Sequence, residues 1–252
     1  MSTTKSEDLL IFINEGVRII KFNRPSKKNA ITLAMYIELT NTLNNDATND
    51  NIVLTILTGV GDYYSSGNDL TISYSNEGEL VNACQSFQGF VTALINYPKL
   101  IIAVVNGPAI GIAVTTLALC DVVYATDQAS FATPFVRLGI CPEACSSYLL
   151  PRIMGRSRAS ELLLLGHKLT AEEAYSSNLI SKVIPQKQLP EFLNYLHKYS
   201  KLSVDSIKTC KKLIKDCSSK DLHEINDLEA ATLFQCASGE DSTKYLKLIN
   251  KL

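Results

Sequence analysis

The sequence predicts an α/β protein. Short, β-branched apolar runs suited to buried parallel strands recur at residues 53–58 (VLTILT) and 100–105 (LIIAVV). Each runs out into a glycine-bearing turn, with a helical pattern beyond it. From residue 189 onward the pattern is helical to the end, with no β signal returning. Strand, glycine turn and helix in repetition imply a βαβ architecture, which binds ligands at the carboxyl ends of its strands. A chain of 252 residues, 46% hydrophobic and 19% charged, can bury one large core or two modest ones, and one α/β domain with a helical appendage is the default.

In chain order, residues 9–13 and 17–22 are two β-rich runs separated by Asn-Glu-Gly, a hairpin closed by Arg24-Pro25. Residues 26–30 form a polar loop with paired cations, Lys27 and Lys28, which are either solvated charge or phosphate ligands. Thr32 is an N-cap for a helix over 33–45 whose apolar positions are Met35, Ile37, Leu39 and Leu43. The strand at 53–58 leads into an irregular turn, residues 61–70. A helix over 78–96 must break before Tyr97-Pro98, because a residue preceding proline avoids the helical region. The strand at 100–105 opens into Asn106-Gly107-Pro108-Ala109-Ile110-Gly111 and a helix over 112–119. Strands follow at 121–126 and 131–133, then a loop carrying Glu143, a helix ending near Met154-Gly155, and a helix over 157–165 ended by Gly166. Thr170 and Glu173 form a capping box, and 179–184 is a last strand closed by Pro185. In the helical tail, Ile207, Cys210, Leu213 and Ile214 read as one apolar face, which needs the core or a neighbouring subunit to cover it.

Composition removes several classes of function. Net charge is −1 with no basic block interleaved with aromatics, against nucleic acid or a membrane surface as the main partner. Apolar runs are far shorter than the ~20 residues of a membrane span, so a soluble chain is expected. Seven cysteines without a C-x-x-C pair, and three histidines remote from the glycine turns, give no metal site and no Ser-His-Asp constellation. The odd cysteine count, without a secretory segment at the start, predicts reduced thiols.

The two glycine turns carry a chemistry of their own. A turn opening directly into a helix leaves first-turn amides pointing outward at the positive end of the helix dipole. If the turn around Gly67 adds a second amide, the pair can grip a carbonyl oxygen as it becomes an enolate, worth ~3 to 4 kcal/mol per preorganised donor. Either turn alone reads first as a tight corner. Neither has nucleotide-binding glycine spacing. Glu143 lies in Cys-Pro-Glu-Ala-Cys. It is one of three acids between residues 80 and 160, the others being Asp121 and Asp127, and is either a solvated loop charge or a working base.

The segments YYSSGNDL (63–70), IIAVVNGPAIGIAV (101–114), DVVYAT (121–126) and FATPFVRLGICPEACSSYLLPRIMG (131–155) together resemble the crotonase, or enoyl-CoA hydratase and isomerase, superfamily. Within it the chain is most similar to peroxisomal-type Δ3,Δ2-enoyl-CoA isomerases, over nearly its whole length. Those enzymes often carry an N-terminal acyl-CoA-binding domain; with the hairpin beginning almost at once, none is expected here. The resemblance implies a crotonase-type spiral of ββα units over residues 1–195, and a C-terminal helical region, 196–252, forming a homotrimer or dimer of trimers. It implies an acyl-CoA thioester as substrate, with no separate cofactor because coenzyme A is part of that substrate.

Carried over by position, the resemblance gives the backbone amides of Asn68 and Ile112 as the oxyanion hole. Ser66, Gly67, Asp69, Leu70 and Gly111, with Lys27 and Ala30, would lie along the CoA ester. The two hydratase glutamates fall at Thr115 and Phe135, so both are missing, whereas the isomerase glutamate falls at Glu143. The implied activity is a shift of the 3-enoyl double bond to the 2-trans position in fatty-acid β-oxidation, with one base. A catalytically silent protein binding CoA esters, RNA or another protein is the alternative, with Lys208, Lys211, Lys212 and Lys215 as a lysine-rich face on one helix. The chain ends in Asn250-Lys251-Leu252, two residues of the Ser-Lys-Leu address, so a peroxisomal location and its import receptor are expected, with mitochondrion or cytoplasm as alternatives.

Overall fold

The computed structural model describes residues 7–71, 77–215 and 219–237; the terminal Asn250-Lys251-Leu252 lies outside them. Strands β1 (Leu9–Asn14) and β2 (Val17–Phe22) form the expected antiparallel hairpin, with Ile11 opposite Ile20. β2 then pairs in parallel with β3 (Leu54–Gly59), β3 with β4 (Leu100–Val105), β4 with β6 (Val122–Thr126), and β6 with β9 (Lys182–Ile184). A second sheet joins three short strands, β5 (Ala109–Ile110), β7 (Ser130–Ala132) and β8 (Leu169–Thr170). Successive passes place one strand in the large sheet and the next in the small one, β4 then β5 and β6 then β7, before a helix returns the chain. This is the expected ββα spiral.

Both faces of the large sheet are covered, which is why β3 and β4 read as continuous apolar runs. Helices α1 (Leu33–Thr48) and α2 (Glu77–Asn96) cover one face through Met35, Leu39, Leu43, Phe90, Val91 and Leu94. The other face, with Leu54, Ile56, Ile102 and Val104, is covered by α7 (Leu189–Leu196) through Phe192, Leu193 and Leu196. Thr32 caps α1 as expected, its Oγ1 accepting the Met35 amide at 3.3 Å.

The remaining helices are α3 (Ile112–Thr115), continued by a 3-10 turn over Thr116–Leu119, α4 (Ser146–Met154), α5 (Arg156–Leu163), α6 (Ala171–Ser176), α8 (Val204–Lys215) and α9 (Ser219–Ala237). The strand expected over 179–184 is shortened to β9, because Leu179 and Ile180 instead close the end of α6 with hydrogen bonds to Ala174 O.

The tail helix α8 corrects the sequence reading. Cys210, Leu213 and Ile214 lie outside, Leu213 being 70% and Ile214 78% exposed, while Lys211 is buried. The Lys211 ammonium donates to Asp121 Oδ2 at 2.6 Å and Lys99 O at 2.5 Å, and Lys208 meets Asp50 at 3.3 Å. Those acceptors draw the lysine side of α8 inward, and the apolar side turns out with it. The lysine face is therefore not a uniformly solvated one. Helix α9 packs as expected, with Leu222, Ile225 and Leu233 joining the main core.

Candidate active site

Two loops after strand ends are held against each other by buried asparagines. Asn106, beyond β4, accepts the Gly59 amide at 2.8 Å and donates to Gly61 O at 2.8 Å. Asn29 donates to Val60 O and Tyr63 O at 2.9 and 2.7 Å. Gly107 permits the approach: a Cβ there would stand 1.9 Å from Asp62 O. The Tyr64 amide donates to Pro108 O, and the Ile110 amide to Ser65 O, so the turn at 61–70 and the turn at 106–111 run side by side.

Within this pair Gly67 has φ +86° and touches Ile110, and Gly111 has φ +60° with its amide on Ala132 O at 2.8 Å. The residues following these glycines, Asn68 and Ile112, sit on adjacent turns. Ile112 is the first residue of α3, so its amide has no partner within the helix. The Asn68 amide donates to no described residue.

The loop at 24–31 lies against the same turn through the Ile31 amide on Gly67 O, 2.8 Å, and the Asp69 amide on Ile31 O, 3.0 Å. This brings the loop of Lys27 and Ala30 beside Ser66, Gly67 and Asp69. Lys27 and Leu70 are exposed, Ser66 half-buried and Ala30 buried. The Ser66 amide donates to Lys28 O at 2.9 Å. The Asp69 carboxylate is taken up by Arg24 Nη1 at 2.8 Å and by Thr71. Burial raises the Asp69 carboxyl, but Thr71 and Arg24 outweigh it and hold the group below its ordinary range.

Glu143 is 1% exposed, and its Oε2 has no hydrogen-bond partner among the described residues. Its carboxyl is pushed up to about 8, first by burial and second by the negative charge of Glu229, while the Asn68 carboxamide pulls it back. Asn68 Oδ1 accepts the hydroxyl of Tyr36 from α1, which orients that carboxamide. The loop is strained next to the acid: Ala144 and Cys145 both have left-handed backbone, φ 57° and 59°, at a cost on the order of 1 kcal/mol or more each. Cys84 of α2 also faces Glu143, and its thiol is raised by burial and by that charge.

At the positions of the missing hydratase glutamates, Thr115 is buried with Oγ1 on Ile112 O at 3.3 Å, and Phe135 is buried against Gly111. Among the described residues no cluster of three or more His, Cys, Asp or Glu is placed to hold a metal, and no helix is long and apolar enough to cross a membrane.

Sequence reasoning missed Asn29, Asn106, Arg24, Tyr36 and Glu229. For Glu229 there was a signal: the spacing Leu222, Ile225, Asn226, Glu229, Ala230, Leu233 puts it on the inward stripe of α9. An acid on a buried stripe needs donors, and here they come from a segment more than 80 positions away.

The family described as enoyl-CoA hydratase/isomerase matches residues 12–247. Enoyl-CoA delta isomerase 3, peroxisomal, of Mus musculus is 44% identical over 248 residues, 96% of this chain and 78% of that protein. Enoyl-CoA delta isomerase 2 of Rattus norvegicus is 46% identical over 234 residues, 91% of this chain but only 60% of the rat protein. The crystal structure of an enoyl-CoA hydratase/isomerase from Pseudoalteromonas atlantica T6c superposes with a TM-score of 0.88 at 30% identity, covering 97% of each chain.

Proposed function

This chain belongs to the enoyl-CoA hydratase/isomerase family, and from that premise we propose that it is a Δ3,Δ2-enoyl-CoA isomerase working with one carboxylate. The observation that carries the reading is Glu143, a buried acid with one oxygen unpartnered among the described residues and the carboxamide of Asn68, the residue after Gly67, against it. A carboxyl titrating at about 8 is partly ionised at neutral pH, and its ionised form is a stronger base than an ordinary carboxylate.

In this mechanism the thioester oxygen accepts the amides of Asn68 and Ile112. Glu143 removes a proton from C2, the two amides hold the negative charge on the dienolate oxygen, and the carboxylic acid so formed returns the proton to C4. The double bond moves from C3–C4 to C2–C3 and the base is regenerated. Burial of Glu143 keeps the proton from exchanging with water.

Hydration would need a second carboxylate to activate water. Thr115 and Phe135 supply none. Glu229 does not replace them, because both of its oxygens already accept protein donors. Ser66, Gly67, Leu70 and Gly111 would flank the pantetheine, with Lys27 and the Ala30 loop toward the phosphates, and Asp69 shaping that loop through Arg24. The named mouse relative supports a peroxisomal location for this chain as well. Exposed Leu213 and Ile214 on α8 favour a subunit contact, and a homotrimer is the assembly proposed.

The test is conversion of 3-trans-hexenoyl-CoA and 3-trans-dodecenoyl-CoA to their 2-trans esters, with crotonyl-CoA hydration measured in parallel. Isomerisation that far exceeds hydration supports the reading. Hydration alone, or ester binding without turnover, overturns it.

A further inference from the structure

The C-terminal helix α9 sends one carboxylate back to the loop that carries Glu143. Glu229 is buried, at 6% exposure, yet fully partnered. Its Oε2 accepts the Cys145 amide at 2.6 Å, and its Oε1 accepts the Ser147 amide at 2.9 Å as well as the Ser147 hydroxyl. These amides belong to the first turn of α4, which has no side-chain cap of its own. The strained residues Ala144 and Cys145 lie between Glu143 and that turn, so the carboxylate clamps the backbone immediately after the base. Two further contacts fasten the same strap: Cys145 Sγ on Leu222 O at 3.3 Å and Cys141 Sγ on Glu229 O at 3.9 Å.

We propose that Glu229 is a positioning residue for Glu143: its carboxylate fixes the turn that aims the base. The proposal rests on the isomerase reading for its catalytic meaning, while the clamp itself stands on the hydrogen bonds from Cys145 and Ser147. Three donors and no acceptor facing it suit an ionised Glu229, whereas Glu143, with an unpartnered oxygen, suits the proton-carrying form. The groups facing Glu143 are the Asn68 carboxamide from the turn after β3, Cys84 from α2, Cys141 from its own loop and Glu229 from α9. Those facing Glu229 are Ser147, Cys145 and Cys141. Among the described residues only Glu229 brings a second carboxylate to bear on the base. Burial raises its own carboxyl, and the Ser147 and Cys145 donors oppose that rise.

The experiment is a carbon-13 NMR titration of the full chain labelled at glutamate Cδ, with the Glu143 resonance identified by its loss in Glu143→Gln. In Glu229→Gln the Glu143 midpoint is expected to fall by about one pH unit. Glu229 titrates while Glu143 still holds its proton, so Glu143→Gln should leave the Glu229 midpoint nearly unmoved. If Glu229→Gln does not fold, Glu229→Asp decides: its carboxylate stops short of the Cys145 and Ser147 amides and should lower kcat several-fold with little change in KM, whereas a wild-type kcat overturns the proposal. Under the isomerase reading, Glu229→Gln also lowers kcat by about tenfold with little change in KM and moves the kcat/KM profile to lower pH. A folded Glu229→Gln that leaves the Glu143 midpoint unmoved and kcat unchanged overturns the proposal. A Glu143 shift in Glu229→Gln, found with a wild type that has no isomerase activity, would sink the isomerase reading and leave the link between the two acids standing; turnover without the shift would sink that link alone.

Discussion

Gly67 lies so close to Ile110 that a Cβ at position 67 would stand 2.6 Å from the Ile110 carbonyl oxygen, and its φ of +86° is one that side-chain-bearing residues rarely adopt. This contact joins the two turns that present the Asn68 and Ile112 amides. Gly67→Ala must push them apart. The expected result is a loss of roughly 10²- to 10³-fold in kcat, the scale of one misplaced oxyanion donor. Steady-state kinetics with 3-trans-hexenoyl-CoA checks it, together with a circular dichroism spectrum to establish that the fold is kept.

Activity should rise with pH. In the proposed mechanism Glu143 is a base in its ionised form, and with its carboxyl pushed up to about 8 the kcat/KM profile of the free enzyme should climb toward a plateau above that value. An ordinary carboxylate base would give a plateau from about pH 5.5 upward.

Stability should move the opposite way. Between the ordinary glutamate range and about 8 the folded chain holds a proton on Glu143 that the unfolded chain has released. By linkage, folding therefore weakens as pH rises through that window. Glu143→Gln removes the effect, so in urea it should be more stable than wild type at pH 9 by about 2 to 4 kcal/mol, with the gap closing toward pH 5. A gap independent of pH would count against a raised Glu143.

Lys211→Ala should cost about 2 kcal/mol in urea unfolding, because it removes the buried ammonium that Asp121 and Lys99 O share. Exposed Lys212→Ala should stay within about 0.5 kcal/mol. Equal effects would mean that α8 presents a solvated lysine face after all.

The spiral was legible because its strands announce themselves twice, by β-branched runs and by the glycine turns that end them. Glu143 was legible as a candidate because acids are scarce around it. The inward face of α8 was not, since Ile207, Cys210, Leu213 and Ile214 look like a stripe, whereas Asp121 and Lys99 O, distant in sequence, decide which side faces in. Asn29 and Asn106 were hidden for a similar reason. A loop asparagine reads as a turn former, and only the folded chain shows its carboxamide stitching two loops together. Glu229 lay on a readable stripe, but its donors at Cys145 and Ser147 exist only once α4 is formed.

The most direct test of a one-carboxylate isomerase compares wild type with Glu143→Gln on 3-trans-hexenoyl-CoA, alongside the Kd of each for saturated hexanoyl-CoA. The expected result is a fall in kcat of several orders of magnitude with the Kd nearly unchanged, since the amides of Asn68 and Ile112 remain in place. A Glu143→Gln enzyme that still isomerises within tenfold of wild type would contradict the assignment of Glu143 as the base.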